Sequence, residues 1–248
     1  MEFERIADKK RSEFITNAIS KNIPIHGQIL DVGCGNGIIS RAVGSLGYTV
    51  TGIDSSTKTI EAANDANKLP NVNFMVVAAG NFTPERGKYA AIICSEVLEH
   101  LHTPGDLLTV LRESLSDDGI LIVTVPNGRG PRELFVTRPI QYLQRKNNFA
   151  WKVVSGVKQM LGYKGTTVQS SADDLTHIQF FTYAKLRQLA SENGFRIAEL
   201  KKGNFIEQVF PLSLIFKRSV LLQRFDSKLA DLLPKAFTSG FMTVWRKM

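Results

Sequence analysis

Three side chains stand at a spacing that suits joint chemistry. Glu96, Glu99 and His100 lie at i, i+3 and i+4, so a helix would bring them to one face. Two carboxylates and an imidazole suit a divalent ion, and this donor set favours Mg²⁺, Mn²⁺ or Zn²⁺ over an ion that prefers thiolates. Such an ion can lower the pKa of a bound hydroxyl. Two other uses stay open. His100 can act without metal as a general base, because imidazole titrates near neutrality; or Glu96 can fasten a ligand while Glu99 and His100 orient loops. A second group lies upstream, in ILDVGCGNG (Ile29 to Gly37). Gly33, Gly35 and Gly37 let the backbone turn tightly and approach a ligand without a Cβ clash. The loop follows an apolar run and precedes a helical pattern, the context that a ligand-binding glycine loop needs. Its G-x-G-x-G spacing differs from the G-x-G-x-x-G of pyrophosphate binders. Asp54 ends the next apolar run, where a carboxylate can accept both hydroxyls of a ribose. Asp31 sits at the end of the first run, placed to orient the loop or meet a cationic ligand group.

The elements that must hold these residues follow from hydrophobic periodicity. Residues 3–22 read as an amphipathic helix, stopped before Pro24. Strands are expected at 28–32, 48–53, 72–77, 89–94 and 120–125. Helices are expected at 37–46, 57–67, 96–101 and 104–115. Continuous apolar strands alternating with helices imply an α/β, doubly wound, mostly parallel sheet with helices on both faces. Its ligand would sit outside the carboxyl ends of the strands, beside the first. After Pro126 the rhythm breaks. It returns with a helix at 183–193, a strand at 195–201, a helix near 212–232 and a last apolar run, FMTVW, that reads as a strand. A further short helix is expected at 149–161. The chain is read as one domain, 1–248, with a basic cap at 127–172 and a helical addition at 203–240.

LDVGCGNG, Asp54, SEVLEHL (Ser95 to Leu101) and TVPNG (Thr124 to Gly128) together resemble the class I S-adenosylmethionine-dependent methyltransferases. The resemblance covers roughly residues 27–127, with a fainter echo at 177–202. It implies a Rossmann-like fold with a seven-stranded sheet, S-adenosylmethionine as cofactor, and Gly33, Asp54 and Ser95 as cofactor contacts. The subgroup most similar is the ubiquinone-biosynthesis O-methyltransferases, which share an E-x-x-E-H and a basic insertion after the fifth strand. The 2′-O-methyltransferases of small-RNA 3′ ends are similar at the same motif, use it for a metal, and carry a further histidine before an aromatic pair. His177, in THIQFFT, matches that histidine. The resemblance therefore implies Glu96, Glu99, His100 and His177 as metal ligands, with Glu99, His100 and His177 acting on the acceptor. One departure is plain: many members place an acid after the third strand to bind adenine, and here VVAAGNF puts Ala78 or Ala79 there, leaving Asn81 or backbone groups.

Composition narrows the partners. The net charge of +8 is uneven: residues 127–172 hold eight Lys/Arg and one acid, Glu133, and residues 201–248 hold nine Lys/Arg and three acids. Basic attachments on a mildly acidic core point to anionic partners or to a solvated basic surface. In 149–161, Trp151, Val154, Val157 and Leu161 share a face with lysines beside it, the pattern of an interfacial helix, and 212–233 has a similar mixture. An anionic membrane surface is the expected partner of these segments; an ordinary cap over the site is the alternative. Basic residues interleaved with aromatics are too few for nucleic acid to be favoured. Two cysteines, no apolar leader and no membrane-spanning run lead to the expectation of a cytoplasmic protein with peripheral membrane contact. The expected reaction is methyl transfer to a hydroxyl of a small, lipid-like acceptor. The alternatives are an amine, sugar or RNA 2′-hydroxyl acceptor, or a silent cofactor-binding scaffold.

Overall fold

Seven strands form one sheet in the order β3-β2-β1-β4-β5-β7-β6. They are β1 (Gln28–Val32), β2 (Thr49–Asp54), β3 (Val72–Val76), β4 (Tyr89–Ser95), β5 (Leu115–Pro126), β6 (Phe195–Lys202) and β7 (Gly240–Lys247). β7 is antiparallel to both neighbours, and the other pairings are parallel. The computed structural model describes residues 6–139, 142, 177–207, 209, 212–216 and 218–248. The expected helix at 149–161, and most of the basic cap, lie outside these residues.

Helices cover both faces because the central strands present apolar side chains to both sides. Ile29, Leu30 and Val32 of β1 and Ile92, Ile93 and Cys94 of β4 are fully buried, as strands sandwiched between helical layers must be. On one face α1 (Ile6–Asn22), α2 (Ile38–Gly44) and α3 (Thr57–Ala66) contribute Ile15, Ile19, Val43, Ile60 and Ala63 to the core. On the other, α4 (Pro104–Ser114) and α5 (Tyr183–Glu192) contribute Leu107, Leu108, Leu111, Leu186 and Ala190. Local signals set the boundaries: the Ser56 side chain caps α3 at Thr59 N, Thr182 caps α5 at Lys185 N, and Pro104 opens α4 where its missing N–H costs nothing.

Three expectations are corrected. No helix spans 96–101: Glu96 adopts φ 58 and only Leu98–His100 make a 3₁₀ turn. The expected helix at 212–232 is two, α6 (Leu212–Phe216) and α7 (Val220–Leu232), because Ser219 is extended at φ −138 and caps the second. β5 starts at Leu115, ahead of the strand expected at 120–125. The reversal of strand order lies between β1 and β4, and there both groups of chemistry-bearing residues converge. Among the described residues no helix is long and apolar enough to cross a membrane.

Candidate active site

The glycine loop runs from the end of β1 over the end of β2. Gly33 N and Cys34 N both donate to Ile53 O, at 2.8 and 3.0 Å, and Gly35 N donates to the Asp54 carboxylate at 3.0 Å. The other Asp54 oxygen accepts from Ser56 N at 2.9 Å. Gly33, Gly35 and Gly37 have φ of 69, 56 and 73, in the left-handed region that L residues enter at a cost. At Gly33 a Cβ would stand 2.5 Å from a Val97 methyl, so the loop and the segment after β4 are in close approach. Asp31 lies beneath the loop, buried, and accepts from the Ser40 hydroxyl of α2. Burial pushes its carboxyl up to about 7, the Ser40 bond opposes this, and the charge of Asp54 adds to it. Asp31 thus ties the end of β1 to α2 through Ser40. Of the adenine-side candidates, Asn81 is exposed in a short turn after β3.

Beyond β4 the chain divides the E-x-x-E-H residues between two environments. Glu96 turns toward β5 and α1. Thr124 donates its hydroxyl to Glu96 at 2.9 Å, and Arg11 of α1 stands 3.6 Å from the same carboxylate. The Ser95 and Thr124 hydroxyls pair at 2.8 Å, and Arg11 also bonds Asp8 at 2.9 Å. A cleft opens here, with Asp8, Arg11, Glu96, Arg132, Asn204 and Ser239 on its wall.

Glu99 turns the other way and is fully buried. Its backbone carbonyl accepts from Ile178 N at 2.8 Å and Gln179 N at 2.9 Å, which draws residues 177–181 alongside. The same segment is tied to the end of β5 through Gly128 N and Phe181 O at 2.7 Å, and through an isolated bridge between Asn127 and Phe181. His177 is thereby carried to His100, their ring centroids 5.2 Å apart. One ligand atom from each of Glu99, His100 and His177 lies within 4.8 Å of the others. His100 Nε2 is 3.7 Å from Glu99. Burial above all, then the charge of Glu96, holds the Glu99 carboxyl well above the usual carboxylate range. Neither Glu99 oxygen has a hydrogen-bond partner among the described residues.

The expected metal quartet is corrected to three: Glu96 is held by Thr124 and Arg11 and does not join the cluster. The physical reason is the positive φ at Glu96, which breaks the helix that i, i+3, i+4 spacing assumed. The remaining three fit a divalent ion. A buried carboxylate without partners is costly, and a cation beside two imidazoles offsets that cost. Two residues of this region were not singled out from sequence. Arg11 carried no signal within an amphipathic helix. Glu133 carried one, as the only acid of residues 127–172, and it is buried 3.4 Å from His177 Nδ1.

A family model described as a methyltransferase domain matches residues 3–200. The chain belongs to the class I S-adenosylmethionine-dependent methyltransferases. Among curated relatives, this methyltransferase is 32% identical over 103 residues to a ubiquinone biosynthesis O-methyltransferase of Caulobacter sp. (strain K31), a match covering 40% of this chain and 41% of that one. It is 28% identical over 124 residues to that of Glaesserella parasuis serovar 5 (strain SH0165), covering 47% and 52%. The matches thus span about half of these relatives or less. Among solved structures, the Burkholderia thailandensis 1,6-didemethyltoxoflavin-N1-methyltransferase, bound to 1,6-didemethyltoxoflavin and S-adenosylhomocysteine, has a TM-score of 0.59 at 15% identity, covering 98% of this chain and 79% of that one. The [4+2]-cyclase SpnF has a TM-score of 0.60 at 16% identity, covering 99% and 85%. A cyclase and an N-methyltransferase on one fold show that the fold leaves the acceptor open. S-Adenosylmethionine is the cofactor of this methyltransferase.

Proposed function

We propose that this methyltransferase transfers a methyl group to a hydroxyl of a small, membrane-borne acceptor, with a divalent ion at Glu99, His100 and His177. One observation carries the reading: a fully buried Glu99 whose oxygens lack hydrogen-bond partners among the described residues, grouped with two histidines beside the cofactor loop. When bound, S-adenosylmethionine supplies a methyl group already activated on sulfur, so the protein's tasks are alignment and removal of one proton. A divalent ion, when bound, supplies positive charge that lowers the pKa of the acceptor hydroxyl. In this reading the glycine loop and Asp54 hold the cofactor, with Ser95 at its methionine end, and Glu99, His100 and His177 face the acceptor oxygen. The O-methyltransferase names of the curated relatives support oxygen as the acceptor atom.

The membrane-borne acceptor rests on α7, which is built inside out. Its buried residues include Gln223 and Asp226, and Asp226 accepts from Phe205 N and Ile206 N, both at 2.9 Å. Its outward side presents Leu221, Phe225 and Leu232, which are 78%, 64% and 84% exposed. Arg218, Arg224 and Lys228 are exposed around them. An apolar stripe edged by cations matches an anionic lipid surface.

A second reading has a specific observation behind it. His100 Nε2 at 3.7 Å from Glu99 is an imidazole backed by a carboxyl, an arrangement that serves a metal-free base. One experiment separates the two. The protein is incubated with methyl-labelled S-adenosylmethionine and host extract, with and without chelator, and lipid and aqueous fractions are counted. Chelator-sensitive label in lipid is the expected result. Label in water-soluble material despite chelator overturns both the metal and the lipid acceptor, and leaves His100 as base.

A further inference from the structure

We propose that Glu133 is the positioning carboxylate of His177. It accepts the Nδ1 proton of that imidazole and leaves Nε2 as the atom turned toward Glu99 and His100. The inference rests on the metal reading above and adds a residue to it.

Glu133 is 1% exposed in a segment otherwise rich in Lys and Arg. A carboxylate in such a segment would be expected to face a guanidinium or water. Arg138 instead donates to Gly128 O at 2.8 Å and stacks over the Phe180 ring at 5.0 Å, and Arg132 lines the Glu96 cleft. Both oxygens of Glu133 are 3.4 Å from His177 Nδ1, and Oε1 has no hydrogen-bond partner among the described residues. The placement is built. Gly130 N donates to Asn127 O at 2.7 Å, Leu134 N donates to Gly130 O at 3.1 Å, and this turn leads into the π-helical turn Glu133–Thr137. A Cβ at Gly130 would meet Thr238 O at 2.6 Å, so the tightness of the turn depends on glycine.

The chemistry follows from the imidazole. In its neutral form one ring nitrogen carries the proton and the other offers a lone pair, and the group facing the first decides which. A carboxylate facing Nδ1 favours the Nδ1–H tautomer, which directs the Nε2 lone pair away from Glu133. Carboxylates behind ligating histidines act in this way, and losing one weakens metal affinity by about 10–100-fold. At 3.4 Å the contact is longer than a strong N–H···O bond, so its effect falls on the choice of tautomer rather than on stability.

The test uses the full-length protein and two readouts. Long-range ¹H–¹⁵N NMR at alkaline pH, with His177 assigned through H177Q, reads the tautomer without metal. Cobalt(II) absorption titration reads the cluster's affinity. The expected results are an Nδ1–H tautomer in the parent protein, its loss in Glu133→Leu, and its return in Glu133→Gln, whose carbonyl still accepts. Cobalt affinity should fall about 10–100-fold in Glu133→Leu and recover most of the way in Glu133→Gln. An Nε2–H tautomer in the parent protein overturns the proposal, and that measurement needs no variant of Glu133 to fold. So does cobalt binding that Glu133→Leu leaves unchanged. If the tautomer behaves as expected but the parent protein binds no cobalt, Glu133 keeps its role and the metal reading falls.

Discussion

The glycine loop and the Glu99 cluster flank the same reversal of strand order, yet they are built in opposite ways. The loop's amides and the carboxylates around it are satisfied from within. Its amides go to Ile53 and Asp54, the Asp54 carboxylate is held by Gly35 and Ser56, and Asp31 has Ser40. The cluster is left wanting: among the described residues Glu99 lacks hydrogen-bond partners at both oxygens and Glu133 at one, all deep in the protein. A satisfied region holds its shape before its ligand arrives. An unsatisfied one stores a demand for a proton, a cation or a substrate group. The two should therefore fail differently when mutated.

The sharpest separation is expected from His100→Ala. Turnover should fall about 10³-fold, the scale of a lost proton-transfer or metal-ligand group, while cofactor affinity stays within about 3-fold. Single-turnover assays and calorimetric titration with S-adenosylhomocysteine check the two halves. A collapse of cofactor affinity would mean that loop and cluster are one unit, and the comparison would break.

The next effect concerns Asp31 and is a matter of pH. Its carboxyl is raised from an ordinary 3.8 to about 7, so the fold favours the protonated form. The contribution to stability is complete below the unfolded-state pKa and is lost as pH rises through the folded one. Three pKa units set a ceiling of about 4 kcal/mol. Denaturant unfolding of the ligand-free protein should therefore show stability declining between about pH 4 and pH 7, and Asp31→Asn should flatten that decline. Glu99, also raised, acts in the same direction, so the quantity to compare is the difference between parent and variant. Identical slopes would show that Asp31 ionises freely and that the loop is wetter than its burial implies.

A smaller effect is expected at Asp54. Asp54→Ala removes the acceptor of Gly35 N and Ser56 N and the proposed partner of the ribose. Hydrogen bonds to a charged group are worth about 1.5–3 kcal/mol, so cofactor affinity should weaken about 10–100-fold, with cobalt binding at the cluster unmoved. Loss of cobalt binding in this variant would again merge the two regions.

The same contrast explains what could be read from the sequence. The loop is local: strand, three glycines, helix and the acid ending the next strand all fall within Gln28–Asp54, so spacing alone located it. The strands and their parallel pairing were legible for the same reason, since period and continuity of apolar residues are local properties. The cluster draws on three segments separated by folding. Glu99 and His177 meet because Ile178 and Gln179 bond the Glu99 carbonyl, and no spacing encodes that contact. Resemblance pointed to His177, and the fold brings it to Glu99 and His100. Spacing misplaced Glu96, because it presumes a helix and one left-handed residue turns the side chain away. Glu133 was visible as a lone acid among cations, but its neighbour was not.

The mildest test lies on the seam between the two regions. Ser95 ends β4, and its hydroxyl opens a chain through Thr124 and Glu96 to Arg11. Ser95→Ala removes one neutral hydrogen bond, worth about 0.5–1.5 kcal/mol, so cofactor affinity should weaken about 2–10-fold if the hydroxyl also meets the cofactor's methionine end. Thr124 can still donate to Glu96, so turnover at saturating cofactor should be nearly unchanged. A larger loss in turnover than in affinity would place Ser95 with the acceptor-facing residues. The boundary would then lie between β1 and β4, with Ser95 on the cluster's side of it.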